Sequence, residues 1–209
     1  MDPRVLEWAK QVQAISQIGL SHSDNLYDRE RYENLQKLAA EMLTATAEPG
    51  GETERLRIEE VLRGLSGYPT PKVDVRALVR DGDRVLLIQE RVDDRWALPG
   101  GWADIGSPPS VNAVREVEEE ASCKVAARRL LAVYDRSLHN PPPSVNTVYK
   151  LFFSCELIDG EPAPGPETLD AGWFGLDALP PLSTGRVTAA QIERLLYLDD
   201  HPELPPDVD

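Results

Sequence analysis

Apolar residues recur at helical spacing over residues 3–20, where Val5, Leu6, Ala9, Val12, Ile15 and Leu20 share one side and Gly19 suits a helix stop. A second helix is predicted to start after Asp24 or Asp28, with Tyr32, Leu35, Leu38, Ala39 and Met42 on one side. Pro49-Gly50-Gly51 breaks the chain, and Glu54–Leu65 reads as a third helix ending at Gly64 or Gly67. Three short helices make a thin core, so this piece is expected to pack on a neighbour or a partner chain. Tyr68-Pro69-Thr70-Pro71 reads as an extended linker. The pattern therefore divides the chain into a helical domain over 1–67 and a larger domain over 68–209.

From Lys72 the period changes to two. Val73, Val75, Ala77 and Val79 alternate with polar residues, Arg80-Asp81-Gly82-Asp83 turns the chain, and Arg84–Glu90 returns as a strand. Trp96-Ala97-Leu98-Pro99 is a short strand that delivers the chain to a glycine turn, Gly100–Gly106. A helix follows over 108–122, with Pro108 in its first turn. Strands are predicted at Val125–Asp135, Thr147–Glu156 and about Ala171–Phe174, and a last helix at Thr188–Leu198. Strands with one helix among them and another at the end predict an α/β fold, a mixed sheet covered on its faces by helices.

The 108–122 helix carries the chemistry. With Glu116 set at zero on the helical wheel, Glu119 falls at about −60° and Glu120 at about +40°, so three carboxylates share one arc. Ala113, Val114, Val117 and Ala121 fill the adjoining face. Clustered carboxylates repel one another, more so in a crevice, and a divalent cation removes that penalty. A solvated acidic face is the plain alternative; the glycines just upstream favour a metal held against phosphates.

Charge narrows the partners. The chain has 209 residues, with 22 basic against 36 acidic, a formal charge of −14. Such a field repels extended nucleic acid and anionic membrane, while a small anionic substrate needs metal or a few arginines. The sequence contains no long apolar run or apolar signal region, so it reads as soluble and cytoplasmic. Cys123 and Cys155 lie in apolar stretches without metal-ligand spacing, which predicts buried free thiols.

At these residues the chain resembles the Nudix hydrolases. Counted from Gly101, Arg115, Glu116, Val117, Glu119, Glu120 and Cys123 stand where that family's signature places them. Ser107 stands where the first signature Glu belongs, and Ser122 where the last Gly belongs. Asp104 and Glu118 are the candidates to take over the support that the missing Glu gives to metal and Arg; Ser122 implies a helix end without the usual left-handed glycine cap. The resemblance implies an α/β/α sandwich over about 72–200. The helical start, Gly100–Pro108 and the Leu138-His139-Asn140-Pro141-Pro142 loop before Val148-Tyr149-Lys150 are similar to the bacterial CDP-choline pyrophosphatases. That subgroup is dimeric through its helical domain, and in it the missing Glu is ordinary.

The expected chemistry is hydrolysis of a pyrophosphate bond in a nucleoside diphosphate derivative, best fitted by CDP-choline cleaved to CMP and phosphocholine. ADP-ribose hydrolysis and RNA processing are the alternatives within the enzyme class; a non-catalytic ligand-sensing module is the alternative outside it. Glu116 and Glu120 are expected to ligate Mg²⁺ or Mn²⁺, with Glu119 in support and also a candidate base. Glu167 and Asp170 are further candidates for the base, and Arg115 is expected to orient a carboxylate. Gly100, Gly101 and Trp102, with Arg91 and His139, are expected to line the substrate. Trp102, Tyr134, Tyr149 and Trp173 offer aromatic faces.

Overall fold

The computed structural model describes residues 3–46, 60, 62, 64–65, 67–141, 144 and 146–209. It divides into two compact units, Met1–Thr70 and Pro71–Asp209.

The first unit contains α1 (Pro3–His22) and α2 (Leu26–Thr46). Leu6 and Ala9 pack with Ala39, Ala40, Leu43 and Leu62. Gly19 does not stop α1. A Cβ there would lie 2.3 Å from the Tyr32 ring, so the glycine lets the two helices approach. Helix α2 starts after Asp24, the first of the two expected places, with Asn25 as its cap: Asn25 Oδ1 accepts hydrogen bonds from the Tyr27 and Asp28 amides at 2.9 and 3.2 Å. Ile15 and Leu38 stay exposed, while Ser16 and Gln17 are buried in their stead. Ser16 Oγ donates to Tyr32 O and Gln17 Nε2 to Gly67 O, which satisfies both. In the helix expected over Glu54–Leu65, Glu60, Leu62 and Gly64 are helical; residues 54–59, 61 and 63 lie outside the described residues, as do Pro49-Gly50-Gly51.

The second unit is built on an eight-stranded mixed sheet. Its strands are β1 (Lys72–Asp81), β2 (Arg84–Glu90), β3 (Trp96–Ala97), β4 (Gly100–Trp102), β5 (Lys124–Asp135), β6 (Val148–Asp159), β7 (Thr168–Gly175) and β8 (Asp207–Val208). The order is β3-β2-β1-β6-β5-β8, with β4 on β1 and β7 on β2. The β1–β6 and β5–β8 pairs are parallel and the others antiparallel. Three helices follow the chain: α3 (Pro109–Ala121), the single turn α4 (Arg136–His139) and α5 (Ala189–Asp200).

Alternation along β1 decides what each helix covers. Glu116 of α3 approaches Gly101, the register partner of Val75. Helix α5 reaches the other face, where Asp199 accepts hydrogen bonds from Arg80 and Ser154. Ala113, Val117 and Ala121 bury one side of α3; Ile192, Leu195 and Leu198 bury one side of α5. The α5 start is a capping box, Thr188 exchanging hydrogen bonds with Gln191. Cys123 and Cys155 are free and buried, as their surroundings foretold. No helix among the described residues is long and apolar enough to cross a membrane.

Candidate active site

Gly100-Gly101-Trp102 is not a turn but strand β4, paired antiparallel with Asp74–Arg76; the turn comes later, around Ile105-Gly106. The pairing explains the first glycine. Gly100 has φ +144°, and a Cβ on it would lie 2.0 Å from Val75 O. The second leaves room for a carboxylate, since a Cβ on Gly101 would stand 3.0 Å from Glu116 Oε2.

Helix α3 delivers the three glutamates to different depths. Glu120 is buried, and its Oε2 accepts a hydrogen bond of 2.8 Å from the Gly100 amide. Burial pushes its carboxyl up to about 7; Arg76 and the Gly100 amide oppose the rise, and the Glu90 and Glu116 carboxylates add to it. Burial also raises Glu116, against the pull of Arg115. Glu119 points outward, 3.7 Å from Arg115 Nε. Among the described residues no three His, Cys, Asp or Glu side chains are gathered closely enough to hold a metal ion. The donor set nonetheless fits a hard divalent cation. Two adjacent carboxylates flank one glycine pair, and each is harder to ionise than in water until positive charge arrives.

Arg115 organises the rim. Its Nη1 lies 2.8 Å from Asp104 Oδ2 and its Nη2 3.2 Å from Glu116 Oε1. Of the two acids proposed to stand in for the Glu missing at Ser107, Asp104 meets Arg115; among the described contacts Glu118 does not. The end of α3 also departs from expectation. Ser122 adopts the left-handed conformation at φ 57°, ψ 20°, although it lacks the freedom of glycine.

A loop that sequence patterning missed clamps this helix end. The Ala163 amide donates to Ala121 O, while the Gly165 amide and Thr168 Oγ1 both donate to Glu120 O. A Cβ on Gly165 would stand 1.7 Å from Glu119 O, so no other residue permits the approach. Glu167 is exposed on this loop, next to Pro166, whose carbonyl accepts from Arg91 Nε at 3.2 Å. Arg91 and Glu167 thus sit on neighbouring segments. Asp170 accepts a hydrogen bond from the Ala171 amide.

His139 is placed otherwise. It stacks on Tyr134 at 4.3 Å, and its Nε2 lies 2.7 Å from Asp209 Oδ1, with no described contact to the glutamates. Pro142 of the same loop lies outside the described residues. Trp102 is half exposed, with Lys72 Nζ 5.2 Å from its ring centre. Tyr134 is buried and donates to Asp207, Tyr149 is exposed, and Trp173 lies on β7 against the core.

Buried charges behind β4 complete the picture. Arg76 Nε and Nη2 donate to Asp74, Nη1 donates to Leu98 O, and Glu90 lies 3.9 Å away, itself 2.6 Å from Arg186 Nε. Asp74 and Arg76, at alternate positions of β1 between apolar neighbours, were the one sequence signal for this layer.

A family model described as the NUDIX domain matches residues 70–196, over half of the chain. The chain belongs to the Nudix family. Residues 3–55 match a second model, described as a UDP-X-like, N-terminal oligomerisation domain. A Bacillus subtilis relative named "Putative ADP-ribose pyrophosphatase" is 43% identical over 95% of this chain and 93% of its own. Among solved structures, an ADP-ribose pyrophosphatase from Streptococcus suis is 41% identical with a TM-score of 0.62, covering 67% of this chain and 100% of that one. A UDP-X diphosphatase is 34% identical with a TM-score of 0.63, covering 100% of both chains. The protein is a Nudix hydrolase, a family that generally uses divalent metal ions.

Proposed function

We propose that this Nudix hydrolase cleaves the pyrophosphate of a nucleoside diphosphate joined to a second group, releasing a nucleoside monophosphate and the phosphorylated group. The observation that carries this reading is the placement of Glu116 beside Gly101 and Glu120 beside Gly100, one helical turn apart on α3. Glu116 and Glu120, with Glu119 in support, would hold Mg²⁺ or Mn²⁺. A divalent ion held there would supply charge neutralisation for the phosphate oxygens and a more acidic water as nucleophile. The glycines expose backbone to the phosphate chain. Arg115 fixes Glu116 and Asp104 in place. Glu167, on the clamped loop, accepts the proton of the attacking water, with Glu119 as the second candidate.

ADP-ribose and UDP-linked compounds rank ahead of CDP-choline, because the relatives that match most of this chain carry those names. The test is a metal-dependent screen of ADP-ribose, UDP-sugars, CDP-choline, dinucleoside polyphosphates and RNA. Hydrolysis of ADP-ribose or a UDP-sugar to the monophosphate is expected. Inertness toward every phosphoanhydride with both Mg²⁺ and Mn²⁺ would sink the reading.

The first unit serves as the dimer contact. It matches an oligomerisation model and leaves Trp8, Ile15 and Leu38 exposed on its helices. A monomer by small-angle scattering at micromolar concentration would refute this.

A further inference from the structure

The turn between β4 and α3 is exposed at Asp104, Ile105 and Gly106, and Gly106 bends the chain with φ +88°. The pairing of β4 ends at the Ala103 amide, which donates to Val73 O. Among the described backbone–backbone hydrogen bonds, none starts or ends on residues 104–107. Yet this turn carries Asp104, the carboxylate that lies 2.8 Å from Arg115 Nη1.

Asn112 holds the turn from the helix side. It is fully buried near the start of α3, and its Nδ2 donates to Ser107 O at 3.3 Å and to Asp104 O at 3.4 Å. Both bonds are long, but together they span the turn from end to end. Its Oδ1 is sealed from solvent and has no hydrogen-bond partner among the described residues. A buried amide satisfied at one end costs free energy. Alanine at this position would escape that cost and favour the helix more. What the amide adds is the hold on the turn.

Asn112, Arg115 and Glu116 stand at i, i+3 and i+4, so one side of α3 grips the turn twice. The Asn112 amide takes its backbone and the Arg115 guanidinium takes the Asp104 carboxylate. Arg115 lies in turn 3.2 Å from Glu116 Oε1. We propose that Asn112 is a positioning residue for the metal site: it pins the 104–107 turn and, through Asp104 and Arg115, sets where the Glu116 carboxylate stands. Where Ser107 offers no carboxylate, Asp104 gives the support and Asn112 keeps it in place.

This role rests on the metal site proposed above, so two of its measurements need no turnover. In metal-free protein, ¹⁵N order parameters over residues 104–107 should fall from about 0.85 to below about 0.6 in Asn112→Ala. Mn²⁺ binding, followed by paramagnetic resonance, should weaken about tenfold. Asn112→Ala combined with Asp104→Asn should bind Mn²⁺ no more weakly than Asp104→Asn alone, because both act along one path. A general loosening of α3 would instead add its loss to that of Asp104→Asn. If Asn112→Ala alters the circular dichroism spectrum, Asn112→Ser, which also withdraws the amide from both carbonyls, takes its place. Unchanged order parameters overturn the hold on the turn, whatever the enzyme hydrolyses. A loosened turn with unchanged Mn²⁺ affinity, or additive losses in the double variant, overturns the path through Asp104. The expected losses in a protein that hydrolyses no nucleoside diphosphate derivative leave the role of Asn112 standing and remove the proposed function.

Discussion

The Gly100 amide donates a 2.8 Å hydrogen bond to Glu120 Oε2, tying the last turn of α3 to strand β4. Glu120→Gln keeps an acceptor for that amide and removes only the charge. Turnover should fall by about 10² or more, with the circular dichroism spectrum unchanged. Wild-type rates in this variant would show that Glu120 holds no catalytic metal.

The same carboxylate makes metal-free stability depend on pH. Its pKa rises from 4.5 to about 7 on folding, so between those values the folded state binds more protons than the unfolded one. Stability should therefore fall as pH rises from about 4.5 to 7, by on the order of 3 kcal/mol for this group. Glu116, also raised, acts in the same direction. Denaturant melts in chelator should show a smaller fall for Glu120→Gln, which becomes the more stable form at pH 8. Parallel pH profiles would show that burial of Glu120 imposes no such cost.

Asp104 and Glu118 make opposite predictions. Asp104 meets Arg115 at 2.8 Å and Glu118 does not. Asp104→Asn should weaken Mn²⁺ binding about tenfold, as loss of a carboxylate behind a metal ligand does, while Glu118→Gln should change it little. Titration followed by manganese paramagnetic resonance separates the two, and equal losses would remove Asp104 from the site.

Ser122 holds a left-handed conformation at φ 57° that costs a non-glycine residue about 1 kcal/mol. Ser122→Gly should raise the melting temperature by about 2–4 °C. A lower Tm would mean that the serine side chain gives more than its backbone loses.

Gly165 lies against Glu119 O with no space for a methyl group. Gly165→Ala should release the loop from α3, lowering kcat about tenfold through Glu167 and stability by about 2 kcal/mol. A variant with an unchanged kcat would separate Glu167 from catalysis.

The sequence pattern exposed strands β1, β2, β5 and β6 and helices α3 and α5, because period and caps there agree with the tertiary fold. It missed β4, since Gly-Gly-Trp is too short to alternate and its two glycines disfavour strands; pairing with β1 makes it a strand. Gly19 read as a stop because its packing role depends on Tyr32 of the other helix. Alternating charge on β1 suggests a wet face, yet that face is dry: Lys150, 76 residues away, comes to lie beside Asp74. The glutamate spacing on α3 was legible from the wheel. Their unequal depths were not, because they depend on where β4 and the 163–168 loop meet the helix.

The parallel register of β1 with β6, from Lys72–Val148 to Val79–Cys155, sets an order on synthesis. When α3 has left the ribosome, β1 can already pair with β2 and β4, but its other edge waits for residues beyond 147. An apolar edge left open that long invites pairing with foreign strands. Asp74 and Arg76 put charge on that strand, which discourages such pairing, and Lys150 later adds its hydrogen bond to Asp74. A chain cut before Val148 would lose the strand that closes the sheet and the residues that bury α3 from beyond it.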